Sequence, residues 1–146
     1  MKDISEQKII DFHAHIYPEK IALKATQSVG DFYATKIAWN GLADELIASG
    51  NKIGVTNYVV HSVATKANQV ESINDFIIES CKKYNQFIGF ATYHQDYQDF
   101  EKEINRVTQA GLKGIKMHPD FQHFKIDDVK MDNFYAYLAE REIPIL

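Results

Sequence analysis

Hydrophobic positions along this chain follow two different periods in turn. Five short stretches, IIDFHAH, VTNYVVHS, FIGFATYH, LKGIKMHP and IPIL, are apolar at alternate positions or throughout, and each predicts a strand. Between them PEKIALKATQSVG, GLADELIASGNKIG, TKANQVESINDFIIESCKKYN, DYQDFEKEINRVTQAG and VKMDNFYAYLAERE repeat apolar residues three or four apart, which predicts amphipathic helices. The resulting order, β-α-α-β-α-β-α-β-α-β, is that of an α/β fold with parallel neighbours and right-handed crossovers. Asp99 or Asp96 can cap the fourth helix, and Gly50 and Gly111 can close theirs in the left-handed conformation. No repeat or low-complexity linker interrupts the pattern. The longest aperiodic region, DFYATKIAWN at residues 31–40, carries Phe32, Tyr33 and Trp39; it either walls a pocket or packs in the ordinary way.

Strand parity then separates chemistry from packing. In IIDFHAHIYP an extended backbone puts Asp11, His13 and His15 on one face and Ile10, Phe12 and Ala14 on the other. Two neutral imidazoles on one face can ligate a divalent metal, with a carboxylate or carbonyl orienting the second ring nitrogen. In the fourth strand the same rule sets Gly114, Lys116 and His118 against Ile115 and Met117, and Pro119 stops the strand. His61 and His94 end the second and third strands. Five of the six histidines therefore fall at strand ends, where an α/β barrel carries its functional groups, and His123 follows in a loop. For His61 or His94 alone, a hydrogen-bonded loop role is the simpler expectation. An inward Lys116 is costly to bury unless it is paired or used chemically.

Composition narrows the class without naming a reaction. The 146 residues suffice for one domain, and 45% hydrophobic content is that of a globular chain with a core. A net charge of −4, spread without blocks, gives no footprint for nucleic acid or an anionic membrane. The single cysteine, Cys81, lies in an apolar-periodic stretch and reads as a buried structural thiol in a reducing, cytoplasmic setting. The polar N-terminus and the lack of a long apolar run predict neither a cleavable signal nor a membrane span.

Taken together, IIDFHAHIYP, GLADELIASGNKIGVTNYVVHSVATKANQVESIN, FATYH and above all GLKGIKMHPDFQ resemble the amidohydrolase-related, metal-dependent hydrolases of TIM-barrel fold, over nearly the whole chain and in the family's order. The resemblance implies a partial (β/α)8 barrel, with about five of eight parallel strands and outer helices. It implies that His13 and His15 bind a divalent metal, commonly zinc, and that Lys116 and His118 face the site as catalytic groups. His118 is then a substrate contact or a support for one, with His61, His94 and Asp120 as further substrate-binding candidates. Asp120 and Gln122 are rim contacts, or equally caps or turn residues.

A full barrel takes eight strands and about 250 residues. Residues 1–146 therefore correspond to the N-terminal part of one such domain, ending at the fifth strand. The family's later histidine ligand and its eighth-strand aspartate have no counterpart here. The expected activity of the complete barrel is hydrolysis of a small-molecule amide, ester-like or related carbonyl bond by metal-activated water, with the isolated segment inactive. A decarboxylase on the same scaffold is the nearest alternative. A non-catalytic half-barrel that associates with a chain supplying the missing strands, or with its own copy, is another.

Overall fold

The computed structural model describes residues 8–146; the polar MKDISEQ stretch, in which no signal was expected, lies outside them. Its elements are β1 (Ile9–His15), α1 (Glu19–Phe32), α2 (Ala43–Asn51), β2 (Val55–His61), α3 (Val70–Lys83), β3 (Phe87–Thr92), α4 (Phe100–Gln109), β4 (Gly114–Lys116), α5 (Pro119–Gln122) and α6 (Asp132–Ala139). The strands form a four-stranded sheet in chain order, β1-β2-β3-β4. In β3 and β4, which are parallel, Phe90 stands opposite Gly114, Ala91 opposite Ile115 and Thr92 opposite Lys116. Consecutive βα units with neighbouring strands in chain order make the chain an α/β fold, a partial (β/α)8 barrel.

The fifth predicted strand is shorter than expected. Ile145 makes a single parallel bridge to Ile115. The Ile115 and Met117 amides donate to Pro144 and Leu146, and the Leu146 amide donates back to Ile115. Pro144 has no N–H to extend this ladder.

Two compact units make up the chain, one ending at Val60 and the other His61–Leu146. In the first, β1 buries Ala14, but Ile10 and Phe12 stay 48% and 58% exposed. The apolar face read from parity is therefore covered only near its C-terminal end. Among the described residues β1 stands at the end of the strand order, with a strand neighbour on one side only. Gly50 does not close its helix in the left-handed conformation: it lies inside α2, and Gly54, with φ 79°, takes that conformation instead. Gly50 is needed for another reason, since a Cβ there would collide with the Tyr58 hydroxyl. The aperiodic region starts later than expected, because α1 runs through Phe32. Trp39 is 58% exposed, so it is not packed in a core.

In the second unit α3 covers β3, burying Val70, Ile77 and Ile78. Asn74 on α3 is itself buried. Its Oδ1 accepts from the Thr92 amide at 2.7 Å, and its Nδ2 donates to the Thr92 carbonyl and to Glu103. A side chain thus satisfies both backbone groups at the end of β3. Glu103 on α4 receives two hydrogen bonds from Arg106, each 2.8 Å, and Arg106 also reaches Asp75 at 2.6 Å, so α3, α4 and β3 share one polar clasp. Stacking of Tyr93 on Phe134 at 3.9 Å, with Phe100 edge-on to both, joins α4 and α6 to the loop after β3. Cys81 is half-buried, less than the buried thiol expected, and burial pushes its thiol up to about 11.

Helix ends were partly legible. Asp99 occupies the N-cap position of α4, yet its side chain makes no cap bond; its carbonyl accepts from Glu103. Gly111 has φ 103° and follows α4 as expected. The last predicted helix is divided into a 3-10 turn, Val129–Met131, capped by the Asp128 carboxylate, and α6. Among the described residues no helix is long and apolar enough to cross a membrane.

Candidate functional site

β1 places His13 and His15 two residues apart on one face, and the side chains meet. Their Nε2 atoms are 3.3 Å apart, with ring centroids at 5.3 Å. The Asp11 carboxylate accepts from the His13 amide at 3.1 Å, so it braces the strand's backbone beside the pair. Tyr17 stacks near His15 at 6.4 Å and is anchored by its amide to the Gly41 carbonyl at 2.8 Å. Burial pushes the Tyr17 hydroxyl above its ordinary value. Burial does the same at Tyr58, helped by the negative charge of Asp11.

The donor set suits a divalent ion. Two nitrogens bound to one tetrahedral ion at about 2.0–2.1 Å each lie roughly 3.3 Å apart, the separation found here. His61, the last residue of β2, is buried. Sequence reasoning grouped His13 and His15 as ligands and set His61 among substrate contacts. Imidazole is a donor that several first-row metals accept, so the pair does not choose among them.

β4 carries the second group of candidates. Lys116 is 4% exposed, and burial pushes its ammonium below the usual lysine range. His118 lies two residues past the end of β4, not within it as parity assumed. It is the N-cap of α5, with its Nδ1 accepting from the Phe121 amide at 3.3 Å. Its pKa is pushed below the ordinary value, first by burial and then by Lys116, with Asp120 acting in the opposite sense. Pro119, at the first position of α5, supplies a backbone already bent for a helix and lacks an N–H that would need a partner.

The remaining candidates divide. His94 lies two residues beyond β3, buried, its Nδ1 accepting from the Asp96 amide at 3.2 Å with the Asp96 carboxylate at 3.8 Å. These contacts hold its ring within the loop that follows β3. Asp120 is exposed. Gln122 is 2% exposed and cannot be a rim contact; its amide and carbonyl groups are bonded to three loops. Nothing in its sequence context marked this role, because a four-residue helix leaves no periodicity to read.

A family model described as Amidohydrolase matches residues 10–146. None of the curated proteins searched matches the chain. Among solved structures, a dihydroxybenzoic acid decarboxylase from Polaromonas sp. JS666, with bound manganese and the inhibitor 2-nitroresorcinol, aligns with a TM-score of 0.66 at 15% identity, over 94% of this chain and 48% of that one. A 2,6-dihydroxybenzoate decarboxylase complexed with 2,6-dihydroxybenzoate aligns with a TM-score of 0.65 at 16% identity, over 95% and 49%. An IDCase of Metarhizium anisopliae in apo form reaches 0.71 at 15% identity, over 97% and 50%. The chain thus spans about half the length of each of these structures, which share its fold. With the family model matching from the first strand through Leu146, the chain belongs to the amidohydrolase family.

Proposed function

We propose that these residues are the N-terminal part of a single barrel domain whose complete form is a metal-dependent enzyme hydrolysing a small-molecule amide, ester-like or related carbonyl bond. The observation that carries this reading is the 3.3 Å separation of the His13 and His15 Nε2 atoms, which suits two ligands of one ion. His13 and His15 hold the metal, zinc in this reading, and His61 contributes to substrate binding. A divalent metal bound there supplies a hydroxide nucleophile near neutral pH and polarises a carbonyl oxygen. Asp11 keeps the strand rigid beneath the pair. Lys116 and His118 hold substrate oxygens by charge and hydrogen bond, while His94 and Asp120 border the substrate. The remaining strands come from the rest of the barrel or from another copy or chain. A cytoplasmic setting accords with a lone thiol held in its protonated form.

Decarboxylation is the second reading, favoured by the activity named for the solved structures that share this fold. One assay on the complete, metal-loaded barrel separates the two. Hydrolysis in oxygen-18 water labels the released acid, whereas decarboxylation releases carbon dioxide from a carboxylated substrate and forms no labelled carboxylic acid. Labelled acid supports the first reading, and carbon dioxide alone replaces it with the second. Neither product from a barrel that retains its metal would leave only an associating or binding role.

A further inference from the structure

Gln122 stands out among the buried polar side chains because each of its polar atoms has a partner, and the partners lie on three different loops. Its Nε2 donates one proton to the Ala64 carbonyl, after β2, at 2.9 Å and the other to the Tyr93 carbonyl, after β3, at 2.5 Å. Its Oε1 accepts from the His118 amide, after β4, at 2.7 Å. The Gln122 amide donates to the His118 carbonyl at 2.9 Å, and the Gln122 carbonyl accepts from Gln95 Nε2 at 2.6 Å. His118 is therefore held at both its N–H and its C=O by one residue.

With the backbone held in this way, the neighbours of the ring orient it. The Phe121 amide is a donor only, so the His118 Nδ1 it addresses carries no proton, and a neutral imidazole then bears its proton on Nε2. The Phe121 ring packs edge-on to the imidazole at 4.4 Å and limits its rotation. We infer that Gln122 is a positioning residue that ties the loops after β2, β3 and β4 together and presents His118 as an Nε2–H hydrogen-bond donor, not as a base or a metal ligand. The use of that donor on a substrate oxygen rests on the function proposed above; the tautomer and its dependence on Gln122 do not.

Side-chain chemistry explains why glutamine is required. Glutamate would set a second oxygen against two carbonyls. Methionine, similar in length, would lose all three of these hydrogen bonds. Asparagine is one methylene short of the same three groups.

The test is a two-bond proton–nitrogen spectrum of the full chain labelled with nitrogen-15 histidine at pH 7.5, with His118→Gln identifying the His118 signals. The expected result is a single neutral Nε2–H tautomer at His118, replaced by a mixture of tautomers in Gln122→Met. Where Gln122→Met fails to fold, Gln122→Asn carries the same comparison. An Nδ1–H tautomer in the unsubstituted chain would overturn the inference. So would an unchanged single tautomer in a folded Gln122 variant, since that result would leave Gln122 with a purely structural part. Adding zinc to the same sample separates the two proposals. The His13 and His15 signals should move while the His118 Nε2–H signal persists. Unmoved His13 and His15 signals would count against the metal reading and leave the tautomer result standing, whereas loss of the Nε2–H signal would make His118 a ligand and overturn the inference.

Discussion

The Nε2 atoms of His13 and His15 lie 3.3 Å apart, close enough for both to bind one ion. The separation follows from sequence spacing, since residues i and i+2 of a strand share a face. The Asp11 carboxylate, two residues earlier on that face, accepts from the His13 amide and stiffens the strand where the pair stands. Two imidazoles in this contact repel if both are protonated, so the pair is suited to a metal in its neutral form.

Replacing Gly50 by alanine tests the packing that joins α2 to β2. The new methyl would meet the Tyr58 hydroxyl and ring, so Gly50→Ala should destabilise the chain by about 1–3 kcal/mol, the usual cost of overpacking. Urea unfolding measures it, and an unchanged midpoint would show that Tyr58 moves aside freely.

Arg106 neutralises Glu103, whose side chain is 5% exposed, while Arg106 itself is 41% exposed. Arg106→Met should cost about 2 kcal/mol, less than a fully buried pair would because water screens the arginine. The companion change Glu103→Gln, made in the Arg106→Met background, should recover part of that loss by removing the buried charge. Equal stability of the single and double variants, measured by urea unfolding, would show that the charge does not matter.

Burial and Lys116 hold the pKa of His118 below 6.5, its ordinary value. On acidification below that value the unfolded chain gains a proton that the folded chain binds less readily, so stability falls as pH drops, down through the folded pKa. His118→Gln should flatten this slope relative to the unsubstituted chain between pH 7.5 and 5. Denaturant midpoints across that range provide the measurement, and parallel slopes would refute the assignment.

Lys116 is buried beside Thr92 in the β3–β4 register. Lys116→Met keeps the stem's bulk and removes the charge, so stability should change by under about 1 kcal/mol while turnover of the complete barrel falls at least about ten-fold. Comparable losses in both would identify a structural lysine.

The parts of this molecule legible in its sequence are those governed by repeating periods. β2, β3, α3 and α4 repeat apolar residues often enough to declare themselves, and the His13/His15 pair needs only strand parity. Features set by single tertiary contacts were not legible. Gly50 looks like a helix end in sequence, but it is required by Tyr58, which follows eight residues later. Phe12 and Ile10 have the pattern of a packed face, but among the described residues β1 stands at the end of the strand order and leaves them exposed. α5 is one turn long, too short for a period, so His118 reads as the end of a strand when it is the cap of a helix. Gln122 gives no local sign of the loops it joins, because Ala64 and Tyr93 are distant in sequence.

The most direct test of the central claim is zinc and manganese binding by titration calorimetry, on the chain and on His13→Ala/His15→Ala. One divalent ion per chain, with affinity lost by at least about a hundred-fold in the double variant while its fold is retained, is the result expected of a pair that ligates metal. Equal binding by both proteins would contradict the site.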